Sequence, residues 1–460
     1  MDQESETLMP IFHTDPALKA GQNSTWEGLT SSSRALAMTE AALRHDGLTL
    51  VITDTAQEAA TQCQAMQFFA KEQNLPIYVF PDWETLPYDV FSPHQDIISA
   101  RLQTLSKLPT TDKGILLVPM TTIMHKIVPI DFIASRTFDY RVGEEIDRQH
   151  LQDQLSKAGY NRVETVYDHG EFAFRGSIID IFPMGVKSPF RLDLIDNEIE
   201  SLRLFDSESQ RTIENINRIE LLPAREFPMD KQGVNQFLNN WHEYFDYDPV
   251  KCPIYRDIKN GITPQGIEYY LSFFFDSTAT LFDYLPQNTL LFTYDGIEVA
   301  AGHFWSDING RFEEYGVDPE RPLLDPKSIF LPTNKIFQEI KKFPRTILGK
   351  STKQQVELQG VISAVPDIAV NSKLANPMLK LQSFLDNNMT DLAEFRVLFC
   401  AESSGRREVL LELLKTIKIS PKEVSGWQSF IDSKDSICIC IHPLDQGIFC
   451  SNAKICLIAE

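Results

Sequence analysis

At 460 residues, with 43% apolar and 23% charged residues, the chain has globular composition and is too long for one core, so two to four domains are expected. A formal net charge of −21, from 64 acidic against 43 basic residues with no run of Lys and Arg, excludes a broad nucleic-acid-binding surface. No stretch of about eighteen apolar residues exists, and the acidic start "MDQESETLMPIFHTDPALKA" lacks a secretory pattern, which predicts a cytoplasmic protein without a membrane span.

Residues 1–24 read as a flexible N-terminus, and 25–136 as a first α/β domain. In it, "WEGLTSSSRALAMTEAAL" predicts a loop running into a helix that its serines cap and Gly47 stops. The strand "LTLVITD", the helix "AQEAATQCQAMQFFAKEQ", the strand "PIYVF", an irregular "PDWETLPYDVFSPHQ", the helix "DIISARLQTLSKL" and the strand "GILLVP" follow. Short apolar runs with helices between them predict a parallel sheet covered on both faces.

Residues 137–223 change pattern and read as a small α+β domain. One amphipathic helix is expected over "EEIDRQHLQDQLSKAGY", then an antiparallel sheet through "RVETVYDHGEFAFRG", "SIIDIFPMG", "SPFRLDLIDNEIESLRLFD" and "RIELLPA", with a hairpin turn at Asp196-Asn197. Alternation puts Phe190, Leu192 and Leu194 on the core face and Arg191, Asp193 and Ile195 on the other, which exposes an Ile between charges.

Residues 224–350 are mostly helical, with the aromatic "YYLSFFFD" and the strand "NTLLFTYD"; "KKFPRTILGKSTKQQ" reads as a passage between domains. Residues 351–460 return to an α/β rhythm through "RVLFCAES", "SGRREVLLELLKTI", "SICICIHP" and "AKICLIAE". The chain stops on that last strand, which predicts that it is part of a longer polypeptide. Cys438 and Cys440 share one face of an apolar strand and have no partner set at metal-ligand spacing, so buried free thiols and no metal site are expected. His125 and His242 are expected to be ordinary helix-surface or satisfied core residues rather than ligands.

A working phosphate loop of form G-x-x-x-x-G-K-[ST] needs glycines at positive φ, a Lys for phosphate oxygens and a hydroxyl for Mg²⁺. Laid on "GLTSSSRA", Gly28 keeps the first glycine, while Ser33, Arg34 and Ala35 stand at the second glycine, the Lys and the hydroxyl; Ser31 stands where glycine is common. Ser at a positive-φ position is strained by roughly 1 kcal/mol. Ala35 has no oxygen for a metal. The partner motif, normally two adjacent carboxylates at a strand end, is reduced to Tyr294 followed by Asp295. Together these changes predict a loop that binds no nucleotide and a segment without a catalytic residue or cofactor.

"DWETLPYDVFSPHQDIISARL", "GEFAFRGSIIDIFPMG" and "RLDLIDNEIESLRLFDSESQRT" resemble the N-terminal half of the bacterial transcription-repair coupling factors, itself similar to the excision-repair protein UvrB. The resemblance implies a first domain split into 25–136 and 224–350 that folds like a UvrB motor domain without ATP binding. It implies that 137–223 is the part that docks on UvrA, with Arg175, Gly176, Asp180, Phe182, Arg191, Asp193 and Ile195 as the contact set. Relatives often carry Phe where this chain has Ile195. Between Phe80 and Arg101 the chain is shorter than UvrB and lacks its DNA-inserting hairpin, so Trp83 and Tyr88 are expected to pack. RNA polymerase, double-stranded DNA, ATP and Mg would be engaged by regions outside this chain, and a C-terminal domain would mask the UvrA face until activation. The competing readings are a residual ATP-dependent, UvrB-like damage loader and, for Arg175 and Arg191, simple pairing with Asp180 or Asp193 on a solvated sheet face.

Overall fold

The computed structural model describes residues 11, 15–349, 362–370, 376–389 and 395–460. The first domain opens with β1 (Asn23–Trp26), α1 (Ser31–Arg44), β2 (Leu48–Thr53), α2 (Ala56–Ala70), β3 (Ile77–Val79), α3 (Gln95–Lys107) and β4 (Gly114–Pro119). The chain then builds β5 (Phe138–Arg141), β6 (Asn161–Arg162), β7 (Glu171–Arg175), β8 (Ile178–Phe182), β9 (Phe190–Ile195), β10 (Glu198–Phe205), β11 (Thr212–Ile216) and β12 (Arg218–Leu221) before returning with β13 (Leu290–Tyr294) and β14 (Arg345–Leu348). The first sheet runs β1-β14-β13-β2-β4-β3 and every pairing in it is parallel. β2, β4 and β13 are buried at every position, as a sheet with both faces covered requires.

Two expectations change here. "RTIL" is no passage: it forms β14, wedged between β1 and β13, where it completes the sheet. Four residues between Pro344 and Gly349 are too short for periodicity to register, and their pairing to Asn23–Trp26 spans the whole domain. The last part of that passage, 350–355, and the boundary at 350/351 lie outside the described residues. Part of the expected flexible segment is also ordered: Ala17 is buried, its amide donates to Thr346 Oγ1 at 3.0 Å, and β1 crosses the expected boundary at residue 24. Residues 1–10 and 12–14 lie outside the description.

The inserted sheet runs β11-β10-β9-β8-β7-β6, antiparallel except for β6 with β7, and β5 pairs with β12 beside it. Its helix covers only Arg148–Lys157, because the Asp147 side chain accepts from the His150 amide and caps the helix there. The β9–β10 turn holds Asp196 at φ +55°, and β9 alternates buried and open as its sequence demands.

The third sheet, β15 (Ile362–Ser363), β16 (Arg396–Ala401), β17 (Lys422–Glu423), β18 (Ile437–Ile441), β19 (Ile448–Cys450) and β20 (Ile455–Ala459), has the order β15-β19-β20-β16-β18-β17. One face packs on its own helices through Val397, Phe399 and Ile439. The other, with Leu398, Cys400, Cys438 and Cys440, merges with the core of the first domain. Trp427 meets Phe69 of α2 edge-on at 5.3 Å, His442 stacks on Phe68 at 4.6 Å, and Glu72 accepts from Ser425 and Ser429. All seven cysteines are buried free thiols. Among the described residues, no helix is long and apolar enough to cross a membrane.

Candidate functional site

Gly28 has φ +75°, so the loop keeps its one positive-φ glycine. α1 begins at Ser31, and neither Ser31 nor Ser33 adopts positive φ, so the expected strain at Ser33 does not arise. The serines also do not cap the helix. Thr30 occupies the N-cap position without a side-chain cap bond, and the helix ends at Arg44, ahead of Gly47. Each serine instead has a protein partner: Ser31 Oγ accepts from Gln62 of α2 at 3.0 Å, Ser32 Oγ from the Gln446 amide of the third domain at 3.2 Å, and Ser33 Oγ donates to the Thr30 carbonyl at 3.0 Å.

Arg34 is held the same way. Its Nε donates to the Leu29 carbonyl at 3.3 Å, its guanidinium faces Glu58 at 3.8 Å, and it lies over the Tyr294 ring at 5.1 Å. Ala35 is fully buried. Asp54, at the end of β2, has its carboxyl pushed up by burial and then by the charges of Asp295 and Glu58. A triphosphate arriving here would meet three carboxylates and one guanidinium already engaged on both sides. Trp83 and Tyr88 are buried, and the His125 ring packs between Trp83 and Phe330, so all three are packing residues. His242 Nε2 lies 2.9 Å from the Tyr255 hydroxyl.

In the inserted sheet, register sets Asp180 opposite Arg191 and Ile178 opposite Asp193. The Asp180 carboxylate is fully buried and accepts from Arg175 and from Arg191, the latter through Nε at 2.6 Å and a terminal nitrogen at 2.9 Å. The Asp180 hydrogen bond is the main reason that the Arg191 guanidinium is held above its usual range. Arg191 also lies 4.5 Å over the Phe205 ring and is only 14% exposed, whereas Arg175 is 44% exposed. One carboxylate between two guanidiniums leaves a local positive charge on an acidic protein.

The seven expected contact residues therefore fall into two layers. Arg175, Gly176 and Ile195 are open, Ile195 by 56%, with Gly176 at φ +60° in the β7–β8 turn. Arg191 and Asp193 are partly covered, and Asp193 accepts from Ser201 at 2.7 Å and from Arg203. Asp180 and Phe182 are a correction: both are buried and cannot touch a partner directly. Phe182 packs with Val166, Ala173 and Phe205 under a loop, and with His169 at 4.1 Å between ring centres. Sequence reasoning did not single out Arg203, which pairs with Asp193, or the exposed Ile213 on the edge strand β11. The alternation of "SLRLF" marks Arg203 as outward, but only register tells which strand it faces.

Residues 138–227 match the family model described as the UvrB interaction domain, and 391–460 match the model described as the MFD, D3 domain. The transcription-repair-coupling factor of Escherichia coli (strain K12) is 41% identical over 411 residues, which is 88% of this chain and 35% of that protein. That of Haemophilus influenzae is 36% identical over 456 residues, 98% of this chain and 39% of its own length. The Rickettsia bellii factor is 31% identical over 53% of the chain. The chain thus spans little more than a third of the length of the first two of these relatives.

Proposed function

This chain is homologous over most of its length to transcription-repair-coupling factors, and from that we propose that it recruits UvrA to stalled transcription through the inserted domain. The match of 138–227 to the UvrB interaction domain carries the reading, because it covers the strands whose outward face bears Arg175, Arg191 and Ile195. An exposed apolar side chain beside hydrogen-bonded guanidiniums is the composition of an interface anchor. Asp180 holds both arginines from below.

In this reading the split first domain is a P-loop-like scaffold that has lost its nucleotide. Arg34 and the carboxylates of Asp54, Glu58 and Asp295 fill the loop's surroundings, and the segment needs no cofactor. ATP hydrolysis, DNA translocation and RNA polymerase binding belong to regions of a longer polypeptide in the cytoplasm, one of which masks the UvrA face. The chain by itself then captures UvrA without an activating signal.

Capture of purified UvrA by immobilised wild type and by the Arg175→Ala, Arg191→Ala double variant tests the assignment. The double variant is expected to lose capture; equal capture by both would leave the two arginines as a structural pair on Asp180 and sink the proposal.

A further inference from the structure

The irregular segment 84–92 is held by several hydrogen bonds from the rest of the first domain and still exposes large apolar side chains. Glu84 and Tyr88 sit at φ +57° and +62°, conformations that non-glycine residues keep only when their surroundings impose them. Those surroundings are visible: the Tyr269 hydroxyl donates to the Leu86 carbonyl at 2.6 Å, Arg311 Nε to the Pro87 carbonyl at 2.6 Å, and Arg321 to the Asp89 carbonyl, while the Tyr88 hydroxyl donates to Leu324 at 2.8 Å. The scaffold thus grips the backbone and turns Leu86, Val90 and Phe91 outward, Phe91 by 65%.

The same two arginines join this loop to a second segment. Arg311 and Arg321 flank residues 312–320, the end of the helix Ile297–Tyr315 and the turn after it, where Tyr315 is exposed and Val317 is open by 80%. Segment 84–92 carries two carboxylates and segment 312–320 carries four, and neither has a Lys or Arg. Arg311 and Arg321, which bond the backbone of segment 84–92, offset two of these six carboxylates and leave the pair of segments net negative.

A rigid, exposed aromatic and aliphatic cluster is the composition of a protein-binding hot spot, and preorganisation lowers the entropy cost of docking. The surrounding negative charge chooses the partner, since it repels phosphates and anionic headgroups and attracts Lys and Arg. We propose that segments 84–92 and 312–320 form a second docking surface, separate from the inserted domain, for a protein segment in which apolar side chains alternate with Lys and Arg.

Fluorescence anisotropy tests this with three labelled probes: an 18-residue helical peptide of Lys and Leu, its counterpart with Glu for Lys, and a 20-base-pair DNA duplex. The Lys peptide is expected to bind and the other two are not. The Phe91→Ser, Val317→Ser variant is expected to weaken it at least about tenfold, and Phe91→Leu, which keeps an apolar side chain, to retain it. The Asp318→Asn, Glu320→Gln variant is expected to flatten the salt dependence. Unchanged affinity in the serine variant, with its circular dichroism intact, would mean that the peptide reads only the overall negative charge and would overturn the proposal. Duplex binding that Phe91→Ser abolishes would overturn it in favour of nucleic acid.

Discussion

The guanidinium of Arg34 lies 5.1 Å over the ring of Tyr294. In the sequence reading these two residues stand where a nucleotide site has its Lys and one of its carboxylates, and the fold brings them together across 260 positions of sequence. Glu58 completes the arrangement, 3.8 Å from the same guanidinium.

Reverting the loop is therefore expected to be insufficient. The Ser33→Gly, Arg34→Lys, Ala35→Thr variant should show no Mg-ATP binding by isothermal titration calorimetry, because Tyr294 and the carboxylates of Asp54, Glu58 and Asp295 remain. A clear isotherm from this variant, or from wild type, would restore the nucleotide-dependent alternative.

Asp180 separates support from contact. Asp180→Ala leaves two arginines without their shared buried acceptor and is expected to destabilise the inserted domain by about 3 kcal/mol while weakening UvrA capture. Ile195→Ser alters an exposed side chain, so the unfolding free energy from urea titration should stay within about 0.5 kcal/mol of wild type while capture falls. Equal loss of stability in both variants would show that the face is structural only.

Glu268 makes stability depend on pH. Burial pushes its carboxyl up to about 7, with Glu226 adding to the rise, while Ser92 and Arg225 pull it down. Between pH 4.5 and 7 the folded protein keeps a proton that the unfolded chain has released, so stability falls as pH rises through that window and levels off above it. Glu268→Gln removes the dependence. The advantage of the variant in urea unfolding should grow from near zero at pH 4.5 to roughly 3 kcal/mol at pH 8; a difference that does not change with pH would refute this.

Trp427 and Phe69 hold the third domain against α2. Trp427→Ala is expected to cost about 3–5 kcal/mol and to open the sheet face that carries Cys438 and Cys440 to a thiol reagent. Thiol labelling no faster than wild type would mean that the third domain covers this face with its own residues.

Much of the fold could be read locally. Unbroken apolar runs marked β2, β4 and β13, and strict alternation in "FRLDLI" told which side chains of β9 are buried and which are open. Misreadings came where a competing local signal was stronger, as at Asp147, which starts its helix later than the apolar spacing suggests. They also came where an element was too short to show a period, as at β14.

The residue types at the degenerate loop and the charges on the inserted sheet were determined by the sequence alone, because identity and period are local properties. What those residues hold was decided only by tertiary structure. Arg34 meets Tyr294, Asp180 sinks between two arginines, and Ser32 receives an amide from Gln446, 414 positions away. Register and long-range pairing follow from the packing free energy of whole sheets and domains, which no window of the chain contains.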